Sequence, residues 1–145
     1  MARISRHLTA GTLLGLAGLH AAWGSGRAIP FTDQATLTEA VVGSRRMPSP
    51  ASCFAVATAL VAAAGLVELS PTVPVARVGA LGVATVLGVR GTLGLAGRTD
   101  LVSPGSTSTR FRRLDRRLYS PLCLALSAGA LEAAFADRGR RPGAG

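Results

Sequence analysis

The chain has no lysine, and only seven acidic residues stand against sixteen arginines. Aromatics make up 4% of it, and its two cysteines, Cys53 and Cys123, show no CxxC or Cys/His spacing. Each shortage removes a class of function. Without paired cysteines or clustered histidines there is no zinc, redox or other metal motif, and no cofactor is implied. Cys53 and Cys123 read as small apolar fillers at helix starts. A basic nucleic-acid binder would need aromatics or a recognition helix among its positive charges, and neither is there. Nucleic acid is therefore not expected as a partner. Alternating apolar and polar residues are also missing, which excludes the strands of a β-barrel.

What the chain has is grease, with 48% hydrophobic residues gathered into four long runs. The runs cover residues 8–23, 51–69, 75–97 and 118–136. Apart from Arg77 near the start of the third run and Arg90 well inside it, arginine avoids the runs and collects between them, as membrane-flanking charge does. The fold expected is all-α, an integral membrane four-helix bundle of up-down topology in one domain over residues 1–136. Residues 137–145 read as a disordered basic tail. A run of 19 residues, such as 51–69, spans about 28 Å as a helix, close to the hydrocarbon thickness. The lysine-free coding fits a GC-rich bacterial source, and the expected location is the inner membrane.

Local signals place the runs. The first follows Arg3 and Arg6 and ends at His20 and Trp23. A signal peptide cut near His20 is the competing reading, but an imidazole and an indole suit a helix end at the interface better than a processing site. Ser49-Pro50 and Ser120-Pro121 each read as an N-cap serine followed by proline at the first helical position. Pro71 and Pro74 force a tight turn between the second and third runs. Between the first and second, residues 32–42 could form a short amphipathic helix lying on the membrane. Gly11 and Gly15, and Gly79, Gly82, Gly88, Gly91, Gly94 and Gly97, read as small-residue surfaces for close helix contact in lipid, with the third run as the central helix.

Up-down order puts both termini and the proline turn at one surface and the two long polar loops at the other. Counted from the run midpoints, His20 and Arg90 share a level about 6–7 Å toward the loop side. Arg90 should face the interior or reach toward that surface, with His20, Asp100, Asp115 or lipid phosphate as partners. Toward the opposite surface lie two acids expected to be buried, Glu68 and Glu132, with Arg77 as their partner. Glu132, in apolar surroundings, is the residue that would hold a proton. His20 reads as a helix-end hydrogen-bonding group.

The densest feature is Arg110-Phe111-Arg112-Arg113-Leu114-Asp115-Arg116-Arg117-Leu118-Tyr119. Phe111, Leu114 and Leu118 fall on one helical face and the arginines on the other, with Asp115 holding their geometry. Such a segment either fixes orientation as flanking charge or holds anionic headgroups. The candidate polar cluster is thus His20, Trp23, Arg90, Arg110, Arg113, Asp115, Arg116 and Tyr119.

Two stretches, Leu19-His20-Ala21-Ala22-Trp23-Gly24-x-Gly26 with Pro30, and Thr109 through Leu124 with its R-F-x-R-L-D-x-R-x-Y-S-P-L-C pattern, resemble the bacterial family called domain of unknown function 3995. The second stretch is the more specific. The resemblance implies a small four-span membrane protein whose first span is retained and whose two stretches meet on the loop side. It supplies no catalytic residue. The function favoured is a non-enzymatic membrane protein whose partners are the bilayer and its anionic headgroups, or another protein. The alternative is a membrane-embedded enzyme or transporter using His20 as proton carrier, Arg90 as anion anchor and Asp115 as orienter. Nine arginines on the loop side against six on the other favour a cytoplasmic loop side, where Cys53 and Cys123 would be free thiols. In the opposite orientation they could pair.

Overall fold

A computed structural model describes residues 1–44, 46–102 and 104–136. Arg45 and the basic tail 137–145, with its Arg138, Arg140 and Arg141, lie outside the described residues. All secondary structure among the described residues is helical. The elements are α1 (Ala2–Gly24), α2 (Gln34–Val41), α3 (Pro50–Leu69), α4 (Pro74–Leu95), α5 (Thr99–Val102), α6 (Thr109–Leu114), a π-helical turn (Asp115–Tyr119) and α7 (Ser120–Phe135). α6, the π-turn and α7 form one uninterrupted helix of 27 residues.

That continuity replaces the expected boundary at Ser120-Pro121. Proline cannot supply the amide hydrogen an α-helix requires and its ring crowds the carbonyl four residues back. The chain widens just before it instead of stopping: the Ser120 N–H donates to the Asp115 carbonyl, a five-residue step. Ser49-Pro50, by contrast, does open a helix, with Ser49 accepting from the Ser52 amide.

Among the described residues three helices are long and apolar enough to cross a membrane: α3, α4 and the 109–135 helix. α1 has 23 residues, sufficient length, but Gly11, Gly15, Gly18, Thr9, Thr12 and His20 dilute its apolar character.

The packing is held by small residues. The core joins Ala10, Leu13, Ala64, Val67, Ala80, Ala84, Leu126, Ala130, Ala133 and Ala134. Large side chains sit outside, among them Phe54, Val61, Val75, Val78, Val86, Val89, Leu131 and Phe135. A water-soluble helical protein has the reverse distribution, and this surface suits an apolar surround.

α3 and α7 each meet all of the other three long helices, whereas α4 packs on α3 and α7, so the glycine-rich third run is not the central helix expected of it. Gly88, Gly91 and Gly94 line the face of α4 that receives Ser127, Leu124 and Ser120, and Gly79 receives Leu66 of α3. Gly11, Gly15, Gly82 and Gly97 have no neighbour within 4 Å of where a Cβ would stand, so these four do not make the close contacts expected of them. α1 packs instead through Thr9, Ala10, Leu13 and Ala17, one helical face, while Gly11 and Gly15 fall on the other.

At one end of the helices, Arg6 Nε and His7 Nδ1 reach Glu68 Oε1 at 3.4 and 2.9 Å. At the other, Gly24 lies against Cys53 and Phe54. The loops above that end fold onto each other. α2 is capped by Asp33, whose side chain accepts from the Thr36 amide at 2.8 Å, and its buried Leu37, Thr38 and Ala40 are covered by α6 and its neighbours. The Gly43 carbonyl takes the amides of Thr107 and Ser108. Gly43 has φ 72° and the Phe111 ring stands 2.7 Å from where its Cβ would be, so both backbone and space demand glycine.

Candidate functional site: a buried ion pair between an arginine groove and an aromatic cavity

The π-turn decides where the side chains of the arginine segment go. Asp115, wholly buried, is turned inward. It accepts from Arg90 Nη2 at 2.6 Å and from Thr99 Oγ1 at 3.2 Å. This ties α4, the start of α5 and the π-turn into one knot. Gly94 makes it possible, because a Cβ there would lie 2.8 Å from both Arg90 Nη1 and Asp115 Oδ2 and would also strike Ser120 Oγ. Arg90 Nη1 and Ser120 Oγ are buried with no hydrogen-bond partner among the described residues. Of the partners open to Arg90 in the sequence, Asp115 is the one it takes. Asp100 lies instead 3.8 Å from Arg98 on the surface.

On one side of the knot lies an open groove of about 590 Å³ lined by Arg112, Arg113, Arg116 and Arg117 with Gly97, Thr99 and Thr109. The four arginines are exposed. None is in an ion pair with a described residue, in contrast to Arg110, which stands 4.0 Å from Glu39. Arg110 thus leaves the group expected of it, and Arg112 and Arg117 join. The i, i+4 pairs 112/116 and 113/117 explain the convergence: they share one helical face, which borders Gly97 and Thr99.

On the other side is a cavity of about 470 Å³ whose walls include Leu19, His20, Trp23, Pro30, Phe31, Arg90, Phe111, Leu118, Tyr119 and Leu122. His20 Nδ1 lies 2.8 Å from the Leu16 carbonyl, and its ring sits 4.8 Å from that of Trp23. Trp23 Nε1 donates to the Ile29 carbonyl at 2.6 Å, and the Tyr119 hydroxyl to the Ala40 carbonyl at 3.0 Å. Phe31 as a cavity wall carried no signal in the sequence, and Pro30 only its place in the first family stretch, because a loop's fold-back is not written in periodicity. The two stretches that carry the family resemblance face each other across this space. His20 and Arg90 share the cavity. Asp115 does not line it, since both its oxygens are spent on Arg90 and Thr99.

Neither of the two acids expected to be buried is enclosed by the protein itself. Glu68 is partly exposed and bound to Arg6 and His7, since α1 begins at Ala2 and carries those side chains alongside α3. Glu132 is exposed beside a surface groove between α1 and α7, near Met1, Ile4 and Ser5. Neither pairs with Arg77, whose Nε is buried without a partner among the described residues. No group of three or more metal-ligating side chains occurs among the described residues.

Comparison with curated proteins and with solved structures returns no match for this chain. A family model described as a protein of unknown function, DUF3995, matches residues 13–130, and the chain belongs to that family.

Proposed function

We propose that the chain is a four-span inner-membrane protein of bacteria, an up-down helical bundle without catalytic activity, that holds anionic lipid headgroups in the groove of Arg112, Arg113, Arg116 and Arg117. Four guanidinium groups gathered on one groove without a carboxylate to neutralise them are the observation that carries this reading. Guanidinium forks match phosphate oxygens two at a time, and Thr109 adds a hydroxyl to the same wall. The position fits as well. The arginines end where the apolar part of the 109–135 helix begins, so in a bilayer they stand at headgroup depth.

The inside-out distribution of side sizes supports the bilayer, with alanine and glycine between helices and valine, leucine and phenylalanine outside. α1 supplies the fourth span. At 23 residues it is about 34 Å long, and it packs along α3 and α7 with Glu68 near its start and Cys53 near its end. Contacts between Gly88 and Ser127, and between Gly79 and Leu66, fit antiparallel neighbours for the other pairs.

Native mass spectrometry of the purified protein tests the headgroup reading. Wild type should retain anionic lipid through detergent exchange, with retention falling as salt rises. Arg112→Ala plus Arg116→Ala should lose most of it while leaving the melting temperature in place, because both side chains are exposed. Equal retention by the double variant would overturn the assignment.

A further inference from the structure

The aromatic cavity on the other side of the Arg90–Asp115 pair has a chemistry of its own. The chain holds only four phenylalanines, one tryptophan and one tyrosine. Four of these six, Trp23, Phe31, Phe111 and Tyr119, line this single cavity, together with the imidazole of His20. In a protein so poor in rings, that concentration makes flat walls. The indole N–H and the phenol O–H are already bonded to backbone carbonyls, so Trp23 and Tyr119 have no hydrogen left to donate and contribute chiefly ring surface.

Two polar groups remain to read a ligand, His20 and Arg90. The Leu16 carbonyl can only accept, so the His20 nitrogen beside it, Nδ1, carries the hydrogen. In the uncharged ring Nε2 is then a bare acceptor, and it has no hydrogen bond to a described residue. It calls for a donor. Arg90 can only donate, so the oxygen it meets must accept. A single hydroxyl satisfies both. The charge of Arg90 is already answered by Asp115 at 2.6 Å, which removes the reason for a full anion here and separates this cavity from the arginine groove. Leu16, Leu19, Leu118 and Leu122 complete the wall, from α1 and from the 109–135 helix, and leave an apolar edge for a hydrocarbon tail. At about 470 Å³ the space is of the size that small-molecule sites use.

We propose that this cavity binds a lipid with a phenol-type head, a flat ring bearing a hydroxyl on a hydrocarbon chain, the hydroxyl donating to His20 Nε2 and accepting from Arg90. The site goes beyond the headgroup reading and shares with it only the placement in a bilayer.

The chain's single tryptophan, Trp23, is in the cavity wall and reports occupancy directly. The experiment titrates protein in nanodiscs with 4-decylphenol, 4-decylanisole and decylbenzene while following Trp23 emission, excited where the probes do not absorb. The phenol should give a saturable shift. The anisole keeps the oxygen but has no hydrogen to donate, and should bind about tenfold more weakly, the fold-change of one net hydrogen bond. In His20→Phe, which keeps a ring in place, phenol and anisole should bind alike. Equal binding of phenol and anisole to wild type overturns the proposal, as does a phenol preference that survives in His20→Phe or a linear change that never saturates. Should His20→Phe fail to fold, the wild-type comparison of the three probes decides alone. Loss of the arginine groove's lipid in Arg112→Ala plus Arg116→Ala leaves this titration unchanged, so the two readings fail separately.

Discussion

Gly94 shows how much a single residue can settle. Its missing side chain is the room in which Arg90, Asp115 and Ser120 meet. Breaking a buried pair by removing one charge costs several kcal/mol because the other is stranded, and crowding it has a related effect through distorted geometry. Gly94→Ala should therefore lose about 1–3 kcal/mol, the usual range for overpacking. Gly82→Ala, on the same helix but with nothing within 4 Å of its Cβ, should be neutral or slightly stabilising, since alanine is the better helix former. Thermal unfolding in detergent compares them. A Gly94→Ala protein that melts with wild type would mean that the knot yields easily. The sequence showed six glycines in the third run as equal candidates for packing. Spacing alone could not tell Gly94 from Gly82, because which face of a helix is covered depends on where its neighbours lie. Asp115 was legible as an orienting acid, and its partner Arg90 as an interior arginine. That Asp115 would be turned away from the cavity while Arg90 lines it was not legible, since the π-turn that rotates the acid inward has no pattern of its own.

At the scale of elements, helices were readable and their joints less so. Serine before proline opens α3 as cap rules require, yet the same dipeptide in the 109–135 helix lies in mid-helix, because a π-turn can absorb the lost hydrogen bond. α2 illustrates tertiary contact taking up an amphipathic face: eight residues with Leu37 and Ala40 inward, covered by protein. A helix this short depends on its cap. The Thr36 backbone amide, the Thr36 hydroxyl and the Thr32 hydroxyl hold the Asp33 carboxyl below its ordinary value of 3.8. The native pKa is thus lower than the unfolded one. The cap's contribution is fully present above about pH 3.8 and is lost as pH falls through the depressed native value. Hydrogen exchange at the Leu37 amide, bonded to the Asp33 carbonyl, should accelerate over that acid window relative to amides in α3. Asp33→Ala should show the faster exchange at neutral pH, and an acid response identical in Asp33→Ala and wild type would remove the carboxyl from the explanation.

For the molecule as a whole, the question that composition leaves is whether α1 crosses. Its apolar character is the weakest of the four long helices, and only its packing along α3 and α7 places it among them. Charge then sets direction. Among the described residues Arg27, Arg46, Arg98, Arg110, Arg112, Arg113, Arg116 and Arg117 lie at the loop end, against Arg3, Arg6 and Arg77 at the other, so the loop end should be cytoplasmic. In a background with Cys53 and Cys123 replaced by serine, single cysteines at Arg3, Ala35, Thr72 and Thr107 separate the arrangements, all four positions being exposed. Treated in intact cells with a membrane-impermeant thiol reagent, Arg3→Cys and Thr72→Cys should label, while Ala35→Cys and Thr107→Cys should label only after lysis. If α1 does not cross, Arg3→Cys changes sides and joins Ala35→Cys. If the arginine bias is misleading, the two pairs exchange together, because inverting the molecule moves every marker while unthreading α1 moves only one.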